Sequence, residues 1–319
     1  MKLKDMYTFV KNDLNGIESE LERSVHSTHP LLQQSGSNLL RAGGKRIRPV
    51  FVLLAAQYGR YDAQKVKKAA AALELIHMAT LVHDDVVDDA DMRRGKKTIK
   101  SQYDDKVAMY VGDFIFARAL QLMTEVKEPA AHQLLAHGIK EMCLGEIQQI
   151  KEQFDTNQNV RHYFRRIKRK TALLIALSCQ LGAIASGAPV PIQRKLYQFG
   201  YNAGMAFQLT DDILDFTSSE KELGKPAGGD LQQGNLTLPA LYAMGAVPGL
   251  KKRIEEYYRG SGDLALILSE VKNSGGIEHA SRVAAAYLQK AVSAANGLPE
   301  HAARSSLLKI AGYIGRRKF

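Results

Sequence analysis

VKKAAAALELIHMATLVHDDVVDD, residues 66–89, sets small and apolar side chains at Val66, Ala69, Ala70, Leu73, Ile76 and Leu81 and then ends in acid. Spacings of three and four are those of a helix face, and the same period runs through long windows on either side. No window shows the alternation of an amphipathic strand. The chain therefore reads as all-α, with about thirteen helices. Those expected over roughly 2–25, 63–90, 104–126, 129–154, 160–187 and 191–217 are the longest. Gly and Pro punctuate the pattern at AGGK (42–45), RRGKK (93–97), Pro129, GAPVP (187–191) and GKPAGGD (224–230). None of these breaks has the length of a linker, so residues 1–319 are expected to form a single domain, although length alone would allow two.

Composition narrows the function classes. With 45% hydrophobic and 24% charged residues among 319, the chain is neither disordered nor fibrous. Cys143 and Cys179 are far apart and show no metal-knuckle spacing, which suggests a reducing compartment. The opening MKLKDMYTFVKNDL carries charge throughout and no signal-type apolar run, so a cytoplasmic location is expected. The net charge of +11 calls for an anionic partner. RHYFRRIKRK (161–170) contributes much of it and could be taken for a nucleic-acid patch, but a solvated helix face is the commoner reason for such a run. The following TALLIALSCQLGAIASGAPV (171–190) imitates a membrane span behind a basic flank. Thr171, Ser178, Gln180 and Ser186 make a buried helix the better reading, so neither a membrane span nor nucleic-acid binding is expected.

Two DDxxD motifs carry the chemistry, one in HDDVVDD (83–89) and one in DDILD (211–215). On a helix, Asp84 with Asp88 and Asp211 with Asp215 each lie one turn apart on a shared face. One such pair could be a solvated helix end. Two, each closing a long apolar helix, would repel and desolvate one another unless cations met them. An all-oxygen set suits Mg²⁺, which takes one or two carboxylates and completes its shell with water and phosphate. Arg93 and Arg94 follow the first motif, and the guanidinium fork matches phosphate oxygens. Lys45 and Arg48 stand at a helix start where Gly43 and Gly44 let backbone amides approach an anion. Lys170 and Lys225 add further positive charge.

GGKRIRP (43–49), LELIHMATLVHDDVVDDADMRRG (73–95), GE (145–146), RKTALL (169–174), FQLTDDILDF (207–216) and GKPAGGDLQQGNLTLP (224–239) together resemble the trans-polyprenyl diphosphate synthases. The resemblance implies an isoprenoid-synthase-type helical bundle with a central substrate cavity. It implies transfer of an allylic diphosphate, farnesyl diphosphate for instance, onto isopentenyl diphosphate, with about two to three Mg²⁺ ions neutralising the departing diphosphate. Asp84, Asp88 and Asp211, supported by Asp215, would be the metal ligands. Arg93, Lys170 and Lys225 would bind the allylic diphosphate, and Lys45, Arg48, His77 and Arg94 would bind isopentenyl diphosphate. Thr171 and Gln208 would turn their dipoles to the developing positive charge. The narrower likeness, in IHMATLVHDD, GNLTLP and IGRRKF, is to the two-component branch in which a large catalytic subunit works with a small silent partner. That implies a heptaprenyl product for the menaquinone side chain, with a homodimer as the alternative assembly. Small Ala79 and Thr80, one turn before Asp84, suit a medium or long product, with Phe114 or Phe116 as floor residues. A shorter, geranylgeranyl-type product remains an alternative. A terpene cyclase fits less well, because its second metal motif usually mixes Asn, Ser or Thr with Glu. A non-catalytic helical subunit would leave both acidic motifs without a task. Asn235 stands where many members of the family carry Lys, and is left out of the site.

Overall fold

The computed structural model describes residues 8–218 and 228–316, and the chain divides into two compact units, Met1–Leu134 with Ser178–Arg194, and Leu135–Leu177 with Lys195–Phe319. In the first unit a short 3₁₀ turn (Thr8–Val10) leads into α1 (Lys11–Ser24), α2 (Pro30–Arg41), α3 (Ile47–Ala56) and α4 (Ala63–Val87). Asp62 caps α4 by accepting from the amides of Gln64 at 2.9 Å and Lys65 at 3.3 Å. From Ala69 to Ile76 every residue of α4 is buried, because the helix packs against α1, α3 and α6 (Asp105–Met123) together. A helix covered on all sides needs no polar face, which is why its pattern is nearly uniform. Gly112 on α6 makes one of these contacts possible: a Cβ there would lie 2.3 Å from the His83 ring.

The break expected at RRGKK is a tight hairpin, β1 (Met92–Arg93) against β2 (Lys96–Lys97), followed by the short α5 (Ile99–Gln102). Arg94 and Gly95 form its two-residue turn with φ of 52° and 73°, the positive pair that matches the twist of a hairpin. The all-α expectation therefore holds apart from these two short strands, which are too brief to show an alternating pattern.

In the second unit, α7 (Pro129–Glu152, from Leu135 onward) is followed by α8 (Val160–Ile167). The single helix expected over 160–187 is interrupted at Lys168–Ala172 by a π-helical turn, closed by the Leu173 amide on the Lys168 carbonyl, before α9 (Leu173–Ala185) resumes. Residues 172–179 are all buried, so the shift of register at the wider turn leaves no mark in the apolar pattern of the sequence. Then come α10 (Val190–Thr217), α11 (Gly229–Gln232), α12 (Leu238–Ala246), α13 (Leu250–Tyr258), α14 (Leu264–Asn273), α15 (Gly276–Asn296) and α16 (Ala302–Gly315). Tyr163, Ile167, Ala172, Met205, Leu209, Leu238 and Ala280 form one apolar cluster, and Phe216, Leu236, Leu250, Ile254 and Ile267 belong to another. Among the described residues no helix is long and apolar enough to cross a membrane.

Candidate active site

Arg46, Glu74, His77 and Arg94 line two pockets of the first unit, one of about 420 Å³ and one of about 370 Å³. The smaller is completed by Gly44, Lys45, Ile47 and Arg48, so the predicted set Lys45, Arg48, His77 and Arg94 converges on one cavity. The larger adds Arg93, Lys96 and Lys97 together with apolar Leu39, Met78, Leu81 and Ile99. An anion placed there would meet the start of α3, where helix amides and dipole favour negative charge. A Cβ on Gly44 would lie 2.9 Å from the Arg94 guanidinium, which would have to move aside.

A clamp that the sequence reading did not single out holds this pocket. Arg46 has a left-handed backbone (φ 47°) at the N-cap of α3. Its guanidinium donates to both carboxylate oxygens of Glu18, at 2.7 and 3.2 Å, and to Glu74 Oε1 at 3.1 Å. Glu74 is buried, and its other oxygen, like Nε of Arg48, is shut off from solvent with no hydrogen-bond partner among the described residues. The one available signal was a lone acid inside the apolar run ALELI. Burial lowers the Arg48 pKa, with Arg94 lowering it further against the pull of Glu74. His77 is pushed well below its ordinary value by burial and by Arg48, Arg94, Arg93 and Arg46. It is therefore neutral near pH 7 and offers hydrogen bonds rather than charge.

Of the first acidic motif, Asp84 is half-buried and Asp88 is exposed, capping the end of α4. Asp85 between them is buried and accepts from Arg93 Nε at 2.6 Å, which aims that guanidinium. Burial raises the Asp85 pKa, opposed by Arg93. This buried acid, too, was missed at the sequence level.

In the second unit, the π-turn carries Lys170 and Thr171. Lys170 Nζ lies 3.0 Å from Gln149 Oε1 and 3.5 Å from Glu146 Oε2, both on α7. The Thr171 hydroxyl donates to Gln208 Oε1 at 2.6 Å, and Gln208 Nε2 donates to Asp212 at 2.8 Å. Asp211 is half-buried; Asp215 is buried and accepts from the Asp230 amide at 3.1 Å. Burial and the nearby Asp230 charge push Asp212 up to about 7, against hydrogen bonds from Tyr163 and Gln208 that lower it. Lys225 lies outside the described residues. In the basic run, Arg166 is engaged by Glu152 and Gln158, and Arg169 by Glu141 and Gln148. Asn235 donates its amide to the Asp230 carbonyl at 2.8 Å, a local turn contact.

Among the described residues no cluster of three His, Cys, Asp or Glu side chains stands ready to chelate a metal. The available donors are oxygen pairs one helical turn apart. They fit a hard cation such as Mg²⁺ that takes its remaining ligands from water and a bound diphosphate.

Known proteins resemble this chain over its whole length. Heptaprenyl diphosphate synthase component 2 of Bacillus subtilis is 56% identical, covering 100% of this chain and 92% of the relative. The protein of the same name from Geobacillus stearothermophilus is 53% identical, covering 100% of both. A crystal structure of heptaprenyl diphosphate synthase from Staphylococcus aureus superposes with a TM-score of 0.93 at 42% identity, covering 97% of this chain and 98% of that one. A profile of the polyprenyl synthetase family matches residues 29–270. The chain accordingly belongs to the polyprenyl synthetase family and is a prenyl transferase.

Proposed function

We propose that the enzyme condenses isopentenyl diphosphate with an allylic diphosphate, farnesyl diphosphate being a suitable primer, and repeats the step to a heptaprenyl product that serves as the menaquinone side chain. The observation that carries the substrate class is the convergence of Lys45, Arg46, Arg48 and Arg94 with neutral His77 on one pocket. Four cations facing Glu74 leave an excess of positive charge that a diphosphate would neutralise. The heptaprenyl assignment rests on the two relatives named above.

In each step the allylic C–O bond breaks and its electron pair leaves with diphosphate. The double bond of isopentenyl diphosphate supplies the pair for the new C–C bond. One proton then departs, with the released diphosphate as acceptor. Lys45, Arg48, His77 and Arg94 hold isopentenyl diphosphate, and much of the acceleration comes from that positioning. Arg93, aimed by Asp85, and Lys170, steadied by Gln149, take oxygens of the allylic diphosphate. Lys225 is assigned the same task from its place in GKPAGGD. Asp84 and Asp88 in one unit, and Asp211 with Asp215 in the other, would hold Mg²⁺. When bound, Mg²⁺ supplies Lewis-acid neutralisation of the leaving group. Thr171 and Gln208 turn oxygen lone pairs to the developing charge.

Both named relatives are called component 2, which supports a small component 1 as partner here. The reading of residues 1–319 as one domain is supported by α7, α9 and α10, each of which continues from one compact unit into the other. The deciding experiment incubates the purified chain with farnesyl diphosphate, labelled isopentenyl diphosphate and Mg²⁺, with and without the partner subunit, and sizes the product. A C35 product that needs the partner is expected. A C20 product would replace the heptaprenyl assignment with a geranylgeranyl one, and cyclised hydrocarbon without uptake of label would make the protein a cyclase.

A further inference from the structure

A buried hydrogen-bond chain reaches Thr171 and Gln208 from a residue that touches no substrate in the reading above. Tyr163 on α8 is fully buried, and its hydroxyl donates to Asp212 Oδ2 at 2.5 Å. Asp212 Oδ1 accepts from Gln208 Nε2 at 2.8 Å, and Gln208 Oε1 accepts from the Thr171 hydroxyl at 2.6 Å. All four residues belong to the second unit.

Donor and acceptor inventory fixes the polarity of this chain. Both Asp212 oxygens accept, Oδ2 from the Tyr163 hydroxyl and Oδ1 from Gln208 Nε2, so the amide nitrogen of Gln208 faces Asp212 and its oxygen faces Thr171. Thr171 has one hydroxyl proton, and Gln208 takes it, so what the hydroxyl has left to offer is lone pairs. Asp212 is 2% exposed and can keep this arrangement only while both its oxygens are satisfied from within the protein. Burial and the neighbouring carboxylate hold the Tyr163 pKa well above its ordinary value, so the phenol remains a donor.

We propose that Tyr163 is a positioning residue: by holding Asp212 it fixes the direction of the Gln208 amide, and so makes Thr171 present lone pairs rather than a proton to the positive charge of prenyl transfer. The proposal rests on the prenyl-transfer reading. Removing the Tyr163 hydroxyl leaves Asp212 Oδ2 without its donor and lets the carboxyl turn, so Gln208 Nε2 loses its fixed acceptor and the direction of the amide toward Thr171 is no longer set. Tyr163→Phe keeps the ring where it meets Phe164, centroids 5.4 Å apart, and the apolar cluster of Ile167, Met205 and Leu209.

The test uses the full chain with its partner subunit. Tyr163→Phe is expected to lower kcat about tenfold, as loss of a group that orients a contacting residue does, with both KM values within about twofold. In a Gln208→Ala background the same change should cost nothing further, because the residue through which Tyr163 acts is gone. A second arm needs no turnover: the affinity for a prenyl ammonium with inorganic pyrophosphate is measured against that for its uncharged carbon isostere. The wild type should prefer the ammonium, and Tyr163→Phe should lower that preference about tenfold. An unchanged kcat, a cost that simply adds to that of Gln208→Ala, or an unchanged ammonium preference would overturn the proposal. A wild type that forms no prenyl product defeats the prenyl-transfer reading instead, and the ammonium arm still decides the role of Tyr163.

Discussion

Nη1 of Arg46 donates to Oε1 of Glu74 across 3.1 Å, joining the turn before α3 to the middle of α4, 28 residues along the chain. Glu18 on α1 takes the other edge of the same guanidinium. Three elements are thus tied at the floor of the cationic pocket by one planar fork. Lysine has one point charge and cannot span both acids. Arg46→Lys should therefore raise KM for isopentenyl diphosphate about tenfold, or roughly 1.4 kcal/mol, with kcat within about threefold. Initial rates at saturating allylic diphosphate check this, and an unchanged KM would show that the pocket holds its shape without the clamp.

The acidic motifs are expected to behave as metal ligands. Asp84→Ala and Asp211→Ala should each lower turnover by orders of magnitude with an unchanged circular dichroism spectrum. Retention of more than about a tenth of wild-type activity, under roughly 1.4 kcal/mol of barrier, would remove the residue from the ligand set.

His77 makes stability depend on pH with a definite sign. Its folded pKa is depressed, so below about pH 6.5 the unfolded chain binds a proton that the native state refuses. Stability falls as pH falls through that window, by at most about 2 kcal/mol from this group between pH 6.5 and 5. His77→Gln should flatten the loss. Urea unfolding at pH 7 and pH 5 compares the two proteins, and equal slopes would exclude a depressed pKa.

The basic run at 161–170 should not bind nucleic acid tightly. Arg166, Arg169 and Lys170 already have protein partners, which leaves Arg161, Arg165 and Lys168 of that run. Filter binding of duplex and single strands at physiological salt should show only weak, steeply salt-dependent association. Tight binding that an added allylic diphosphate does not disturb would contradict the phosphate role given to Lys170.

Product length should respond to residue 79. Ala79 is fully buried on α4, and Thr80 beside it is half-buried with its hydroxyl bonded to the His77 carbonyl at 2.8 Å. Each isoprene unit gains about 0.8 kcal/mol per buried CH₂, so the chain extends until a side chain blocks it. Ala79→Phe should shorten the product toward C15 or C20 at a stability cost of about 1–3 kcal/mol from overpacking. A product distribution unchanged with the partner present would mean that the growing chain does not pass this position.

What the sequence determined by itself is local. The three-and-four period laid out the helices. The i,i+4 spacing paired Asp84 with Asp88 and Asp211 with Asp215, and GGKRIRP and RRG announced the cations of the anion pocket. Such features depend on residues within a turn or two of one another, so they survive without a partner segment. The tertiary structure decided the rest. It recruited Arg46 and Glu74 from 28 residues apart and Tyr163 and Asp212 from 49 apart, and it inserted the π-turn at Lys168–Ala172. A buried polar side chain takes whichever partner packing brings to it. For that reason the direction in which Thr171 gives its proton was settled only once α8 and α10 brought Tyr163 against Asp212.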